Sequence, residues 1–210
     1  MLKILIADDH AIVRQGLKQI VTETRDMTVA GEASNGQELL NKTKEGEYDV
    51  VVLDITMPVR DGMDVLRQLR SEKPRLPVLM LSIHPEEQYA LRALRAGASG
   101  YLTKESAPDE LVVAIRKVSS GGKYISTSMA EKLAFELEVG RDQALHETLS
   151  DREYQVLCLI ASGKTVTDIA QELSLSEKTI STYRSRVLEK MNMKNNAELT
   201  YYAIKNQLVD

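Results

Sequence analysis

The chain has 210 residues, 43% of them hydrophobic and 28% charged, with a formal net charge of −4. That length fits one large domain or two small ones, and no apolar stretch approaches the ~20 residues that a membrane span needs. The opening MLKILIADDH has too short an apolar run for a secretory signal, and the lone Cys158 excludes an internal disulfide, so a cytosolic protein is expected.

The first half alternates between apolar runs and helical stripes. KILIA reads as a strand, and AIVRQGLKQIV carries Ile12, Val13, Leu17, Ile20 and Val21 at the spacing of an amphipathic helix. MTVAGEA reads as a strand and GQELLNKTK as a helix. DVVVLD lacks alternation, which suits a strand covered on both faces. MDVLRQLR is helical, LPVLMLS is another two-faced strand, and EEQYALRALRAG is a helix stopped by Gly97. SGYLT is a short strand, and SAPDELVVAIRKVSSGG is a helix with Ser106 as its expected N-cap. Five β/α units in about 120 residues favour a parallel sheet with helices on both faces.

From Lys123 to about Leu149 the pattern weakens. SMAEKLAFELEVG suits one short helix and RDQALHET a linker. Beyond it every stripe is helical. SDREYQVLCLIASG opens on a capping box of Ser150 and Glu153 and closes on Gly163. TVTDIAQEL repeats that spacing with Thr165 and Asp168. SEKTISTYRSRVLEKM has Ser176 as its cap, and NNAELTYYAIKNQL is the last helix. A short helix, a tight turn at LSLS and a longer basic helix make a helix-turn-helix pattern. The segment 178–194 holds five bases (Lys178, Arg184, Arg186, Lys190, Lys194) and one acid, Glu189. That strip is either phosphate-facing or an ordinary solvated helix face.

Ligands of a parallel α/β sheet sit outside the carboxyl ends of its strands. The first strand ends on Asp8 and Asp9, the third on Asp54 and the fourth on Ser82, and Lys104 follows the fifth. Three carboxylates crowded on one rim repel unless a cation joins them. Oxygen-only ligands with open positions suit Mg2+. Asp54 is then placed to attack phosphorus and form an aspartyl phosphate, with Ser82 and Lys104 as donors to the phosphoryl oxygens. Each residue alone has an ordinary alternative, a cap or a solvated charge; their joint placement on strand ends favours the functional one. Three features are set aside. His10 reads as a loop residue. His84 lies two residues after Ser82, close enough to affect water attack on a phosphoryl group. SGKT at 162–165 imitates the end of a phosphate-binding loop, but that motif needs glycine where Cys158 stands.

ADDH, LDITMPVRDG, LMLS and GYLTK resemble, in order and spacing, the receiver domain of bacterial two-component response regulators over about Leu2–Ser120. The resemblance implies a flavodoxin-like strand order 2-1-3-4-5 and phosphorylation of Asp54 by a sensor histidine kinase. It further implies a Mg2+ site of Asp8, Asp9, Asp54 and the backbone carbonyl of Thr56, a phosphate-binding pair Ser82 and Lys104, and an aromatic switch at Tyr101. Ser82 stands where Thr is commoner and keeps the hydroxyl; Glu105 stands where many receivers have Pro.

LSDREYQVLCLIASGKTVTDIAQELSLSEKTISTYRSRVLEKM is similar to the LuxR-type DNA-binding domain over about Leu149–Val209. A receiver followed by this domain is the layout of the NarL/FixJ class. Ile180, Val187, Leu188 and Met191 form the stripe expected to face the domain core. Ser181, Thr182, Arg184, Ser185 and Arg186 lie off that stripe, and Lys178, Thr179, Tyr183, Lys190 and Lys194 are placed for phosphates. In this class the last helix often packs dimers on DNA, with Leu199, Tyr202, Ala203 and Asn206 as candidate contacts.

The expected architecture is thus α/β plus all-α: a flavodoxin-like (βα)5 receiver over 1–122, a linker with a short helix over 123–148, and a four-helix helix-turn-helix domain over 149–210. The expected function is a Mg2+-dependent, self-catalysed phosphotransfer to Asp54 that releases the DNA-binding domain and promotes a homodimer on double-stranded DNA with paired half-sites. No external substrate, and hence no ordinary enzyme, is expected. Two rivals stand beside it. One is a DNA-binding regulator indifferent to phosphorylation. The other is a Mg2+-dependent phosphatase or phosphotransferase with an interaction tail, although Asp54-Ile55-Thr56 lacks the second acid common in such enzymes.

Overall fold

The computed structural model describes residues 1–58, 60–83, 86–127, 129–131 and 144–209. The chain divides into two compact units, Met1–Glu131 and Lys132–Asp210. The expected linker helix falls largely on residues 128 and 132–143, outside the described residues, as does His84.

In the first unit strands and helices alternate as β1 (Leu2–Ala7), α1 (Ala11–Thr22), β2 (Met27–Ala33), α2 (Gly36–Glu45), β3 (Val50–Asp54), α3 (Gly62–Glu72), β4 (Val78–Ser82), α4 (Glu86–Arg95), β5 (Gly100–Thr103) and α5 (Ala107–Ser119). All strand pairs are parallel, in the order β2-β1-β3-β4-β5, which is flavodoxin-like. Every residue of β3 and β4 is buried. Removing Val50, Val51, Val52 and Leu53 from water contributes about 1.5–3 kcal/mol each, and this is what anchors Asp54 at the strand's end. Leu17 and Val21 of α1 pack with Leu111, Ala114, Ile115 and Val118 of α5 into one core.

Local chemistry sets the helix ends. Gly97 ends the α4 segment with φ +100, a left-handed conformation that glycine adopts without strain. Asn35 caps α2 and Asp61 caps α3 through their side chains. Ser106 departs from expectation: it sits at the N-cap position of α5, yet its hydroxyl makes no cap bond and donates to the Thr103 carbonyl. Its backbone is already helical there (φ −81, ψ −16), so its side chain cannot reach forward to the first-turn amides. After α5 the chain returns to the sheet. Tyr124 bridges Gly100 in parallel, its amide donating to the Ser99 carbonyl at 2.9 Å and its carbonyl accepting from the Tyr101 amide at 3.2 Å.

The second unit contains a short 3-10 turn (Leu145–Thr148) and helices α6 (Asp151–Ala161), α7 (Val166–Glu172), α8 (Glu177–Lys190) and α9 (Asn196–Lys205). Ser150 with Glu153 and Thr165 with Asp168 form the two expected capping boxes, and Ser176 caps α8. Ser174, in the turn between α7 and α8, takes φ +53 so that the Leu175 amide can reach the Ala170 carbonyl. Ile180, Val187 and Met191 are buried as expected, while Leu188 is only half-buried.

Candidate functional site

The acids gather at the carboxyl end of the sheet. β1 stops at Ala7, yet the Asp8 amide still pairs with the Ala33 carbonyl at 3.2 Å, so Asp8 leaves the sheet in strand direction. Its side chain is fully buried, whereas those of Asp9 and His10 are 30% and 64% exposed. Asp54 closes β3 and is itself buried. Asp8, Asp9, His10 and Asp54 each offer a ligand atom, all within 4.8 Å of one another. His10, set aside from sequence as a loop residue, therefore lies against the cluster, its Nδ1 2.7 Å from Asp9 Oδ1. It occupies the N-cap position of α1 without a side-chain cap bond, so neither acid acts as the helix cap there.

Lys104 follows β5 and spans the gap. Its Nζ donates to Asp54 Oδ2 at 2.8 Å and faces Asp8 Oδ2 at 2.7 Å. The second contact is an ion pair with poorer angles than the first, so Asp8 Oδ2 keeps capacity for a further partner. The Lys104 amide donates to the Ser82 carbonyl at 2.7 Å, which joins the ends of β4 and β5. Ser82 and Tyr101 are both buried, Tyr101 with 2% exposure. The Thr56 amide donates to Asp54 Oδ1 at 3.3 Å.

The charge balance is unfavourable as it stands. Burial pushes the Asp54 carboxyl up to about 7, against the pull of Lys104 and with reinforcement from Asp8. Burial works against the Lys104 ammonium too, but the charges of Asp54 and Asp8 outweigh it and hold the ammonium above its ordinary value. One lysine serves two buried carboxylates, Asp8 Oδ2 has that ammonium alone beside it, and Thr56 Oγ1 is buried without a hydrogen-bond partner. Such a donor set of oxygens fits a hard divalent cation.

Gly62 closes the LDITMPVRDG motif. A Cβ there would come within 2.1 Å of the Asp54 carbonyl oxygen, so α3 can start beneath the end of β3 only at glycine. Asp61, buried beside it, fixes that start by accepting from the Met63 amide at 2.8 Å. Neither is visible as a functional position by charge or periodicity.

In the second unit the candidate DNA-facing residues separate. Lys178, Ser181, Thr182, Ser185, Arg186 and Lys194 are exposed, and Thr179 and Tyr183 are half-buried. Five of the expected surface groups are engaged internally: the Thr182 and Ser185 hydroxyls donate back to the Lys178 and Ser181 carbonyls of the same helix at 2.9 and 3.0 Å. Lys190 donates to Glu153 Oε2 of α6 at 2.6 Å, Arg184 Nε donates to Asn196 Oδ1 at 2.6 Å, and Thr179 shares a 2.8 Å hydroxyl contact with the capping Ser176. The expected dimer contacts need correction. Leu199 and Ala203 have no exposed surface because they pack into this unit's own core, and Tyr202 is half-buried with its hydroxyl on His146 at 3.0 Å. Asn206 is exposed, and the apolar groups that α9 presents to solvent are Tyr201, 71% exposed, and Ile204, 55% exposed.

Known proteins share both halves. The response regulator receiver domain family matches residues 4–116, and the luxR family of bacterial regulatory proteins matches residues 147–203. Response regulator UvrY of Escherichia coli (strain K12) is 35% identical over 209 residues, covering 99% of this chain and 96% of that protein. Response regulator GacA of Pseudomonas aeruginosa is 35% identical over 211 residues, covering 100% and 99%. Among solved structures, RcsB from Salmonella enterica serovar Typhimurium, bound to promoter rprA in the presence of phosphomimetic BeF3−, is similar with a TM-score of 0.63 at 25% identity, covering 96% of this chain and 97% of that one. With a receiver-type sheet carrying the acidic rim, a helix-turn-helix unit later in the sequence and relatives matched over nearly their whole length, the chain belongs to the two-component response regulators of the NarL/FixJ family, DNA-binding transcription factors with a LuxR-type domain.

Proposed function

We propose that Asp54 is the phosphoacceptor of this regulator and that its phosphorylation controls dimerisation and promoter binding. The observation that carries this is the buried Asp54 carboxylate at the end of β3, with Oδ1 on the Thr56 amide and Oδ2 on Lys104. A carboxylate oxygen of Asp54 attacks the phosphorus of a phosphohistidine on the sensor kinase. The P–N bond breaks and the histidine leaves as imidazole, taking up a proton. Asp8, Asp9, the Asp54 carboxylate and the backbone carbonyl of Thr56 would hold Mg2+, which supplies charge neutralisation for the acids and the phosphoryl oxygens. A cation suits the site on physical grounds: burial pushes the Asp54 carboxyl up to about 7, and a nearby positive charge favours the ionised form that attacks phosphorus. Once phosphate replaces the free carboxylate, Lys104 and Ser82 become donors to its oxygens.

The signal then moves along β4 and β5. Ser82 and Tyr101 are the buried groups placed to shift, and Tyr101 shares a backbone bond with Tyr124, whose hydroxyl donates to Glu110 at 2.9 Å. Such a change is a redistribution between two states of one fold. In the second unit the exposed face of α8 enters the major groove, with Ser181, Thr182, Ser185 and Arg186 toward base edges and Lys178, Thr179, Tyr183 and Lys194 toward phosphates. Lys190, beside its phosphate role, and Arg184 hold α8 in place through Glu153 and Asn196. The paired subunits meet on α9 through Tyr201, Ile204 and Asn206. The likeness to RcsB, solved on promoter DNA with a phosphomimetic, supports this scheme. Among the described residues no helix is long and apolar enough to cross a membrane, and the protein is proposed to work in the cytoplasm, with domain boundaries near 122 and 149.

The direct test is intact-mass and peptide mapping after incubation with phosphoramidate and Mg2+. One phosphoryl group on the peptide containing Asp54, absent in Asp54→Asn, is expected. Label on any other residue contradicts the assignment.

A further inference from the structure

We propose that Arg14 is a positioning residue for the acidic site, clamping the turn that carries Asp8 and Asp9 in the shape a divalent cation requires; this rests on the metal site proposed above. The turn is short. β1 ends at Ala7 and α1 begins at Ala11, so Asp8, Asp9 and His10 must redirect the chain while keeping two carboxylates aimed at Asp54. From the helix side the His10 amide donates to Asp8 Oδ1 at 2.7 Å, which fixes the Asp8 side chain but leaves the Asp8 carbonyl to be held. His10 makes no side-chain cap bond to α1, and the Asp8 carbonyl accepts no backbone hydrogen bond among the described residues.

The Arg14 side chain fills the second gap. Its Nη1 donates to the Asp8 carbonyl at 2.6 Å, and the Arg14 amide donates to the His10 carbonyl at 3.1 Å. The amide bond is the ordinary one of the first helical turn, so the side chain's own contribution is its hold on the Asp8 carbonyl. The guanidinium is half-buried and has no carboxylate partner among the described residues, so the clamp is its structural commitment. A charged donor makes a stronger bond to a carbonyl than a neutral one, and the planar fork fixes direction as well as distance.

Charge and clamp act with opposite sign. A guanidinium beside a cation site repels the cation, so if charge dominated, its removal would tighten binding. If the clamp dominates, removal loosens the turn and weakens binding. Groups that orient metal ligands through one further hydrogen bond typically contribute roughly 10–100-fold to affinity, and a short bond to the turn's own backbone places Arg14 among them.

The test uses the full chain as wild type, Arg14→Met and Arg14→Lys, with Mg2+ titrations followed by NMR at the Asp9 and Thr56 amides. Phosphorylation by phosphoramidate is measured across the same Mg2+ range, and thermal melts check the fold. Arg14→Gln takes the place of the methionine variant should that one fail to fold. The expected result is a Mg2+ dissociation constant raised roughly 10-fold in Arg14→Met, a matching rise in half-saturating Mg2+, a saturated rate close to wild type, and recovery in Arg14→Lys. Unchanged or tighter Mg2+ binding in Arg14→Met overturns the proposal while leaving the metal site standing. Wild-type protein that takes up no Mg2+ overturns both.

Discussion

Replacing Lys104 by Met leaves two buried carboxylates without the ammonium that serves them. In the metal-free wild type, Asp54 titrates near 7 in the folded state and near 3.8 when free of the fold. A raised carboxyl pKa means that the folded chain holds a proton the unfolded chain has released. Stability therefore falls as pH rises from about 4 to about 7, by up to about 1.4 kcal/mol per pH unit, and levels off above that. Lys104 Nζ lies 2.8 Å from Asp54 Oδ2. At an effective dielectric of ~20 the bare attraction at that range is about 6 kcal/mol, and sharing with Asp8 reduces what Asp54 itself receives. Even a third of it moves the Asp54 titration up by about 1.5 units, so the falling limb extends toward pH 8.5 to 9. Between pH 7 and 9 the variant should lose about 2 kcal/mol that the wild type keeps, on the order of 8 °C in the melting of the first unit. Thermal melts in EDTA from pH 5 to 9 read this directly. The gap between variant and wild type should widen with pH. Parallel curves from pH 6 to 9 would refute the coupling of Lys104 to Asp54.

Three further outcomes follow from the second unit. The Glu153 carboxyl is almost fully buried; burial opposes its ionisation, but Lys190 and the Ser150 amide outweigh this and hold it below its usual value of 4.5. Its contribution is thus present above about pH 4.5 and lost as pH falls through the depressed value, and Glu153→Gln should lower stability at pH 7 by about 1–2 kcal/mol and flatten the acid limb, as read by pH-dependent melts. Lys178→Ala should lower the log–log salt slope of DNA binding by about 0.9 per protomer, whereas Lys190→Ala should chiefly destabilise the unit; fluorescence anisotropy across salt concentrations distinguishes them. Tyr201→Arg should abolish dimers seen by light scattering on DNA without unfolding the monomer, while Leu199→Ala should cost about 2–5 kcal/mol of stability.

The sheet is legible in the sequence because β3 and β4 are apolar at every position until Asp54 and Ser82, and a run that ends abruptly on a polar group marks both a strand and its exit. The helix-turn-helix unit is legible through its capping boxes, where Ser150 with Glu153 and Thr165 with Asp168 leave a fixed spacing. Other features depend on contacts between distant segments. Gly62 matters because α3 starts against the Asp54 carbonyl, and no local pattern states that distance. Lys190 looks like one more surface cation until α6 brings Glu153 to it. Leu199 and Ala203 have the spacing of a helix face, and spacing alone cannot say whether that face meets the domain's own core or a partner; their burial shows the former. Ser106 has the residue type of a cap but not the backbone of one.

The claim at the centre is that the state of Asp54 governs DNA binding. It is tested most directly by measuring DNA affinity and dimer mass of wild type and Asp54→Ala, with and without beryllofluoride and Mg2+. Tighter binding and a dimer in the treated wild type alone are expected. No response in the wild type, or an equal response in Asp54→Ala, would contradict it.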